Sequence, residues 1–316
     1  MGWLSLGTIA LGLVARHLPF ASRPVVIGAA LFPYLALAGP LSVIVFSLRR
    51  RWLLVGASAT VTAAAIATQI PQHLSHKSEN ARRGVVPVRV MSVNLCLGRA
   101  SAASLVGSAL ENADVVAVQE LTPEGLARLS AAGMDAAFPY RHVYPRPGAH
   151  GIGLWSKFAL SQAWTIAAPR MPFAAAKIAV PGAHADPLLV VVHVTNPWHI
   201  DGWAADIRRL SNALREAEDW SEGAAVIVAG DFNSTLDMRP FRDVLRLGYR
   251  DAARQAGAGF TLTFPGSMPV PPLAAIDHIL VRRCTAVTAR TLIVPGSDHR
   301  ALVATITINQ PIATSA

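Results

Sequence analysis

Residues 224–233 read AAVIVAGDFN. An apolar, β-branched run of this length closed by glycine is a buried strand, so Asp231 and Asn233 emerge at its end on a rigid support. Two residues apart on extended backbone, their side chains point the same way. Two later pieces belong with this stretch: Ile276-Asp277-His278, and Gly296-Ser297-Asp298-His299, which follows a strand-like run and a turn. Carboxylate and amide oxygens with one titratable imidazole are the ingredients of magnesium-assisted phosphate chemistry. A hard cation takes oxygen ligands, and a water attacking phosphorus needs a base.

Outward from these pieces, other strand ends carry polar groups that a core strand would not need. Asn94 ends SVN, Glu120 ends VVAVQE and His193 ends LLVVVH. Any one alone is a turn residue or a satisfied side chain, but together they point to one site. Leu105, Val106, Ala109 and Leu110 recur at helical spacing, as do Trp203, Ile207, Leu210, Leu214 and Ala217. Thr122-Pro123-Glu124 has the pattern of an N-cap, a proline at the first helical position and an acid in the first turn. Further strands are expected at 151–156, 164–168, 176–180, 188–194, 287–294 and 302–308, with a short helix near 240–247. Strands in series with helices between them fit sheets packed face to face with helices outside. Cys96 and Cys284 are the only cysteines, so no zinc cluster or disulfide framework is encoded; two buried free thiols are the preferred reading, with a pair between them, if they are neighbours, as the alternative.

The order SVN, QE, GIGLWSK, VVHVTNP, GDFN, IDHIL and SDHRAL resembles the endonuclease/exonuclease/phosphatase superfamily, the DNase I-like fold, from Pro87 to about Ile308. GDFN and SDH are specific as a pair. The resemblance implies an α+β fold, a four-layer α/β/β/α sandwich with its site at one edge of the two sheets. It also implies phosphoester hydrolysis with a divalent metal, Mg2+ foremost, with Mn2+ or Ca2+ as alternatives. Carried over by position, Glu120 is the principal metal ligand, with Asn94 and Asp298 near the same ion directly or through water. Asp231 and Asn233 sit at the scissile phosphate, His299 is the imidazole of the site with Asp277 orienting it, and His193 contacts phosphate or the leaving group. Spacing does not choose the general base. One departure is Ala275 before Ile276, where family members often carry arginine. The proline-rich loop 265–272 and Trp198-His199 are candidate pocket walls, with packing the other reading for the tryptophan, while His142, His150 and His278 are given no role.

The chain before this region is of another kind. With 52% hydrophobic and 15% charged residues and a positive mean hydropathy, the protein is too apolar for an ordinary soluble one. No charged residue occurs from Pro24 to Leu48 or from Trp52 to Ile70, and each run is long enough to span a bilayer. Gly2 to Ala15 is a shorter third run. The expectation is an N-terminal two- or three-helix transmembrane region over 1–72, a linker over 73–86 and a catalytic domain over 87–310, with a cleaved signal peptide as the rival reading of the first run. Arg49, Arg50 and Arg51 between the two longer runs favour a cytoplasmic loop, which puts the domain on the extracytoplasmic side of a multi-pass membrane protein. Residues 1–84 hold eight of the 28 Lys and Arg and one of the 19 Asp and Glu, so they carry +7 of the formal +9 and leave +2 for the rest. The basic charge is therefore juxtamembrane, as for anionic lipid headgroups, and not a groove for nucleic acid. Expected partners are membrane lipids and a phosphoester substrate, either a lipid headgroup or nucleic acid, with no obligate protein partner. A cell-surface nuclease and an inactive ligand-binding module are the alternatives.

Overall fold

A computed structural model describes residues 1–19, 21–75, 85–166, 168, 171–266 and 270–309. Residues 76–84 of the expected linker, 267–269 of the proline-rich loop, Ala167 of an expected strand and Gln310 at the expected domain end lie outside them.

The strands, in chain order, are β1 (Val85–Asn94), β2 (Val115–Gln119), β3 (Tyr140–Tyr144), β4 (Ile152–Ser156), β5 (Leu160–Ile166), β6 (Phe173–Ile178), β7 (Leu188–His193), β8 (Val226–Asp231), β9 (Arg250–Asp251), β10 (Asp277–Arg282), β11 (Cys284–Ile293) and β12 (Arg300–Asn309). They form two six-stranded sheets, ordered β11-β12-β1-β2-β4-β3 and β5-β6-β7-β8-β10-β9. Among the described residues, five α-helices precede them: α1 (Gly2–His17), α2 (Arg23–Ala30), α3 (Phe32–Leu35), α4 (Ala38–Leu48) and α5 (Trp52–Gln69). Six more are interspersed: α6 (Ala102–Asn112), α7 (Pro123–Ala131), α8 (Met134–Ala137), α9 (Ile200–Ser221), α10 (Arg239–Leu245) and α11 (Ala252–Ala256).

Period-two alternation builds the four layers. Val88 and Val90 of β1 meet Ile227, Ala229 and Ile279 of the other sheet in the central core. Met91 and Val93 face outward onto Leu105 and Ala109 of α6. In β8, Val226 and Val228 face outward onto Leu210 and Leu214 of α9. The result is the α/β/β/α sandwich. The Thr122 side chain caps α7 by accepting from the Gly125 N–H, and Cys96 and Cys284 are buried free thiols. β1 begins at Val85, two residues inside the expected linker, because its pairing with β12 extends to Val85 opposite Asn309.

β-strand glycines are usually a weakness, yet Gly230 has a specific cause. A Cβ added there would stand 1.9 Å from the Val192 carbonyl oxygen, a backbone atom that cannot swing away. Gly230→Ala is therefore expected to push β7 and β8 apart, costing about 1–3 kcal/mol, as read by chemical denaturation. Midway along β1, just before β2 begins beside it, Asp114 accepts from the Arg89 backbone N–H at 3.0 Å and Nε at 3.1 Å. Burial opposes ionisation of Asp114, but these bonds and the guanidinium charge win and hold its carboxyl below the usual value. The stabilisation from a depressed carboxyl is present above the unfolded-state pKa and is lost as pH falls through the folded one. Asp114→Asn should then cost up to about 1 kcal/mol at neutral pH, and the gap to wild type should close below pH 3.8 in denaturation curves.

The N-terminal helices depart from the expected pattern. Residues 24–48 are not one straight helix: the chain breaks at Leu31 with a 63° bend between Arg23–Ala30 and Phe32–Leu48. Pro33 has no N–H to offer the Ala29 carbonyl, which stops the α-helical ladder there. Among the described residues, Trp52–Gln72 is the one helix long and apolar enough to cross a membrane, and the bent pair makes a second only if counted as one span. The 16 residues of α1 fall short of a full span. The helices pack through small and hydroxylated side chains, with Gly12, Ser42, Ser58, Thr62 and Ala65 buried. A Cβ on Gly39 would lie 2.3 Å from the Thr62 hydroxyl. Leu11, Leu37, Ile44, Leu53 and Ile66 are exposed. The bundle also touches the sandwich: Val26 and Ala29 share an apolar cluster with Trp203 and Met238, Arg16 pairs with Asp237, and Gln69 donates to Asp237 at 3.1 Å.

Candidate active site

Strand register brings the site together. β1 and β2 run parallel with Asn94 opposite Gln119, so Asn94 and Glu120 leave the first sheet side by side. β7 and β8 run parallel with His193 opposite Asp231, and antiparallel β10 sets Asp277 opposite Asp231 as well. His299 arrives immediately before β12, the neighbour of β1. Residues from both sheets thus meet at one rim, and the expected set from Asn94 to His299 converges there.

The centre is one oxygen, Oδ2 of Asp231. Asn94 Nδ2 donates to it at 3.1 Å and Asn233 Nδ2 at 3.3 Å. His193 Nε2 stands 3.6 Å away and His299 Nε2 3.8 Å away. The two imidazoles are thus just beyond hydrogen-bond reach of that oxygen. The backbone N–H of Asn233 donates to the other oxygen of Asp231 at 2.8 Å. Asn233 Nδ2 also donates to the Val194 carbonyl, which locks it in place. His193 Nδ1 is 3.0 Å from the Ala149 carbonyl oxygen, so Nδ1 carries the proton and Nε2 faces the cleft.

Burial pushes Asp231 up to about 6, reinforced by Asp277 and opposed by the two histidines. For His299 burial acts downward, but Asp277 and Asp231 prevail and raise it to about 10. Its Nδ1 bonds Asp277 Oδ2 at 2.8 Å, so a protonated His299 is held by one acid and faces another.

Glu120 and Asn94 form the other wall. Asn94 donates to Glu120 Oε1 at 3.2 Å, while the Leu97 N–H donates to Glu120 Oε2 at 2.6 Å. The Asn94 oxygen accepts from the Cys96 N–H at 2.8 Å, so the amide turns its NH2 and not a lone pair toward the two carboxylates. Asp298 is half-buried, and after burial its carboxylate is the main influence that raises the Cys96 thiol pKa. Cys96, Leu97, Glu120 and Asn233 all have φ between 46° and 57°, left-handed values that cost about 1–3 kcal/mol each in a non-glycine residue. Their concentration at one rim marks backbone bent to aim side chains.

Four carboxylates, Glu120, Asp231, Asp277 and Asp298, thus share a rim with one raised imidazole, and Asp277 Oδ1 is buried with no hydrogen-bond partner among the described residues. That oxygen-rich excess of negative charge fits a hard divalent cation. Asp231, Asp277 and His299 put ligand atoms within 4.8 Å of one another. Their charges are already paired through His299, however, whereas the Glu120 side chain is 16% exposed against 1% for Asp231. Glu120, with the half-buried Asp298, is thus a carboxylate that a cation from solvent can reach.

Several positioning groups carry no sequence signature of chemistry. Ser297 Oγ donates to the Asn94 carbonyl at 2.7 Å and accepts from the His299 N–H at 3.0 Å, tying β1 to the His299 turn. Thr263 Oγ1 accepts from the Asp277 N–H, and the Phe264 ring lies 5.1 Å from that of His299. Only the serine before Asp-His hinted at this, as a turn-forming hydroxyl. His278 is buried between Asp251 and the Ser234 carbonyl, at 2.8 Å from each, and braces the loop after β8. Trp198 is 69% exposed, so it does not pack into the core.

The sequence matches the model of the Endonuclease/Exonuclease/phosphatase family over residues 91–299. No curated protein matches it. Among solved structures, it is similar to an endonuclease/exonuclease/phosphatase family protein from Bacteroides thetaiotaomicron, with 14% identity, a TM-score of 0.57, and coverage of 71% of this chain and 98% of that one. It is likewise similar to D. rerio TDP2 complexed with single-strand DNA product, with 19% identity, a TM-score of 0.57, and coverage of 70% and 98%.

Proposed function

The chain belongs to the Endonuclease/Exonuclease/phosphatase family, and from that premise we propose that it is a membrane-anchored, divalent-metal-dependent phosphoesterase acting on a phosphoester at the bilayer surface. The observation that carries the chemistry is the gathering of Asn94, His193, Asn233 and His299 around Asp231 Oδ2.

Glu120, with Asp298 beside it, would hold the cation. Magnesium, or manganese or calcium in its place, would neutralise phosphate charge and polarise the phosphorus. Asp231, raised to about 6, sits where it orients the attacking water and takes its proton. His299, kept protonated by Asp277, offers Nε2–H to a non-bridging phosphate oxygen, and Asn233 offers its amide from the side. His193 presents Nε2 to the same space, where it contacts the phosphate or the departing oxygen. Asn94 bridges Glu120 and Asp231 and keeps both carboxylates facing inward.

The anchoring half of the reading is supported by the inverted character of the helical bundle. A water-facing bundle buries leucine and shows serine, while this one buries Ser42, Ser58 and Thr62 and exposes Leu11, Ile44 and Leu53, the arrangement of helices that pack in lipid. The ends of α1 and α5 that carry Arg16 and Gln69 meet the catalytic domain. Arg49, Arg50 and Arg51 lie at the opposite helix ends, which supports an extracytoplasmic domain. A nuclease is the second reading, since TDP2 is seen with a single-strand DNA product, but the small positive charge of residues 85–316 argues against a polyanion groove.

The test is hydrolysis of bis(4-nitrophenyl) phosphate by the purified full chain. Turnover should require Mg2+, stop with EDTA and return with excess Mg2+; turnover indifferent to EDTA overturns the mechanism.

A further inference from the structure

A cavity of about 270 Å³ lies between the helical bundle and the catalytic domain. One wall is helical, from Ala30, Pro33, Tyr34 and Leu37; the other is formed by Phe260 and Leu273. Its floor is Thr235–Asp237 and Ala274–Ala275, segments that one residue separates from Asn233 and from Asp277 respectively. The cavity therefore abuts the catalytic rim. Ala274 pairs through its backbone with Phe264, whose ring lies 5.1 Å from that of His299, so the backbone pairing at the cavity floor also carries a side chain to the imidazole. Tyr34 donates to the Leu273 carbonyl at 2.6 Å, joining the two walls.

We infer that this cavity receives the hydrocarbon tail of the substrate, so that the phosphoester acted on is that of a membrane lipid, held with its tail against α3 and its phosphate at Asp231. This rests on the membrane-anchored phosphoesterase reading. Three features select a tail over any other occupant. The lining is mainly apolar, and Asp237, its acid, already faces Arg16 and Gln69. Leu37 is exposed and continues into the exposed Leu41 and Ile44 of α4, so the cavity opens onto the same face that the bundle presents to lipid. Its inner end stops at the residues flanking the site, which is the arrangement a molecule with one charged end and one apolar end requires.

The experiment uses the full chain in amphipol and a series of 4-nitrophenyl phosphate diesters whose second alcohol is methanol, butanol, hexanol or octanol, all sharing one leaving group. The value of kcat/KM should rise about three- to four-fold per methylene, the factor that ~0.8 kcal/mol per buried CH2 represents, until the cavity is filled. The rise should appear in KM, with kcat little changed. Ala30→Trp and Ala274→Trp, which fill the cavity, should flatten the series, with the methyl ester in the same preparation reporting that the protein is folded. If neither variant folds, Leu37→Ala carries the comparison and should lower the slope. A flat series in wild type, with the methyl ester turned over, overturns the tail cavity and leaves the phosphoesterase standing. A slope unchanged in the variants overturns it too, since the preference would then come from partitioning into amphipol. Failure to turn over any member with Mg2+ present overturns the underlying reading instead.

Discussion

Replacement of His299 by alanine is expected to lower kcat on a soluble phosphodiester about 10²–10⁴-fold, the range for loss of a positioned proton donor, with the protein still folded by circular dichroism. The size of the effect follows from how His299 is held. Its Nδ1 is 2.8 Å from Asp277, its pKa is raised to about 10, and its free nitrogen faces Asp231. The imidazole is therefore a standing positive charge at the place where negative charge develops. Asp277→Asn separates charge from geometry: the amide can still accept the Nδ1–H, but the anion that raises the pKa is gone. A group with a raised pKa keeps its proton until pH passes that value, so the alkaline limb of the pH–rate profile should move toward neutrality in this variant. An unmoved alkaline limb would mean that another group sets it.

The second large effect is at Glu120. Glu120→Gln keeps the shape of the side chain and its contact with the Leu97 N–H, but removes the charge that solvent can reach. The Mg2+ concentration for half-maximal rate should rise by at least about 10–100-fold, the range for losing a group that merely orients a ligand, with a smaller change at saturating metal. Calorimetric titration with Mg2+ should show the same loss without any substrate. If the buried triad of Asp231, Asp277 and His299 were the metal site instead, Glu120→Gln would leave the titration unchanged and Asp277→Asn would abolish it.

The parts of this molecule legible in its sequence are those where one residue follows a strong local pattern. Asn94, Glu120, His193 and Asp231 each end a run of apolar, mostly β-branched residues, and parallel or antiparallel pairing then sets those ends side by side. Elements with mixed patterns were silent. β3 reads YRHVY, lies at a sheet edge and is half exposed, so it shows neither alternation nor an apolar run. Ser297, Thr263 and the Ala149 carbonyl work through the backbone or through a turn, and a sequence does not say which carbonyl a histidine will find. The break at Leu31 had its signal in Pro33, but counting charges measures affinity for lipid and not continuity of hydrogen bonds. The shared cluster of Val26 and Trp203 joins residues 177 positions apart and leaves no periodic trace.

If the membrane-anchored reading proposed above holds, that shared cluster governs how the chain would meet its substrate. A domain on a loose leash would sweep a volume of solvent around its anchor, and its encounters would follow bulk concentration. With Val26 and Ala29 seated in the same apolar cluster as Trp203, and Arg16 bound to Asp237, the catalytic rim is fixed at one height and one tilt above the bundle. On that reading, turnover in a bilayer is expected to scale with molecules per unit area, and diluting the lipid in its own plane should slow the reaction even when the amount in the tube is constant.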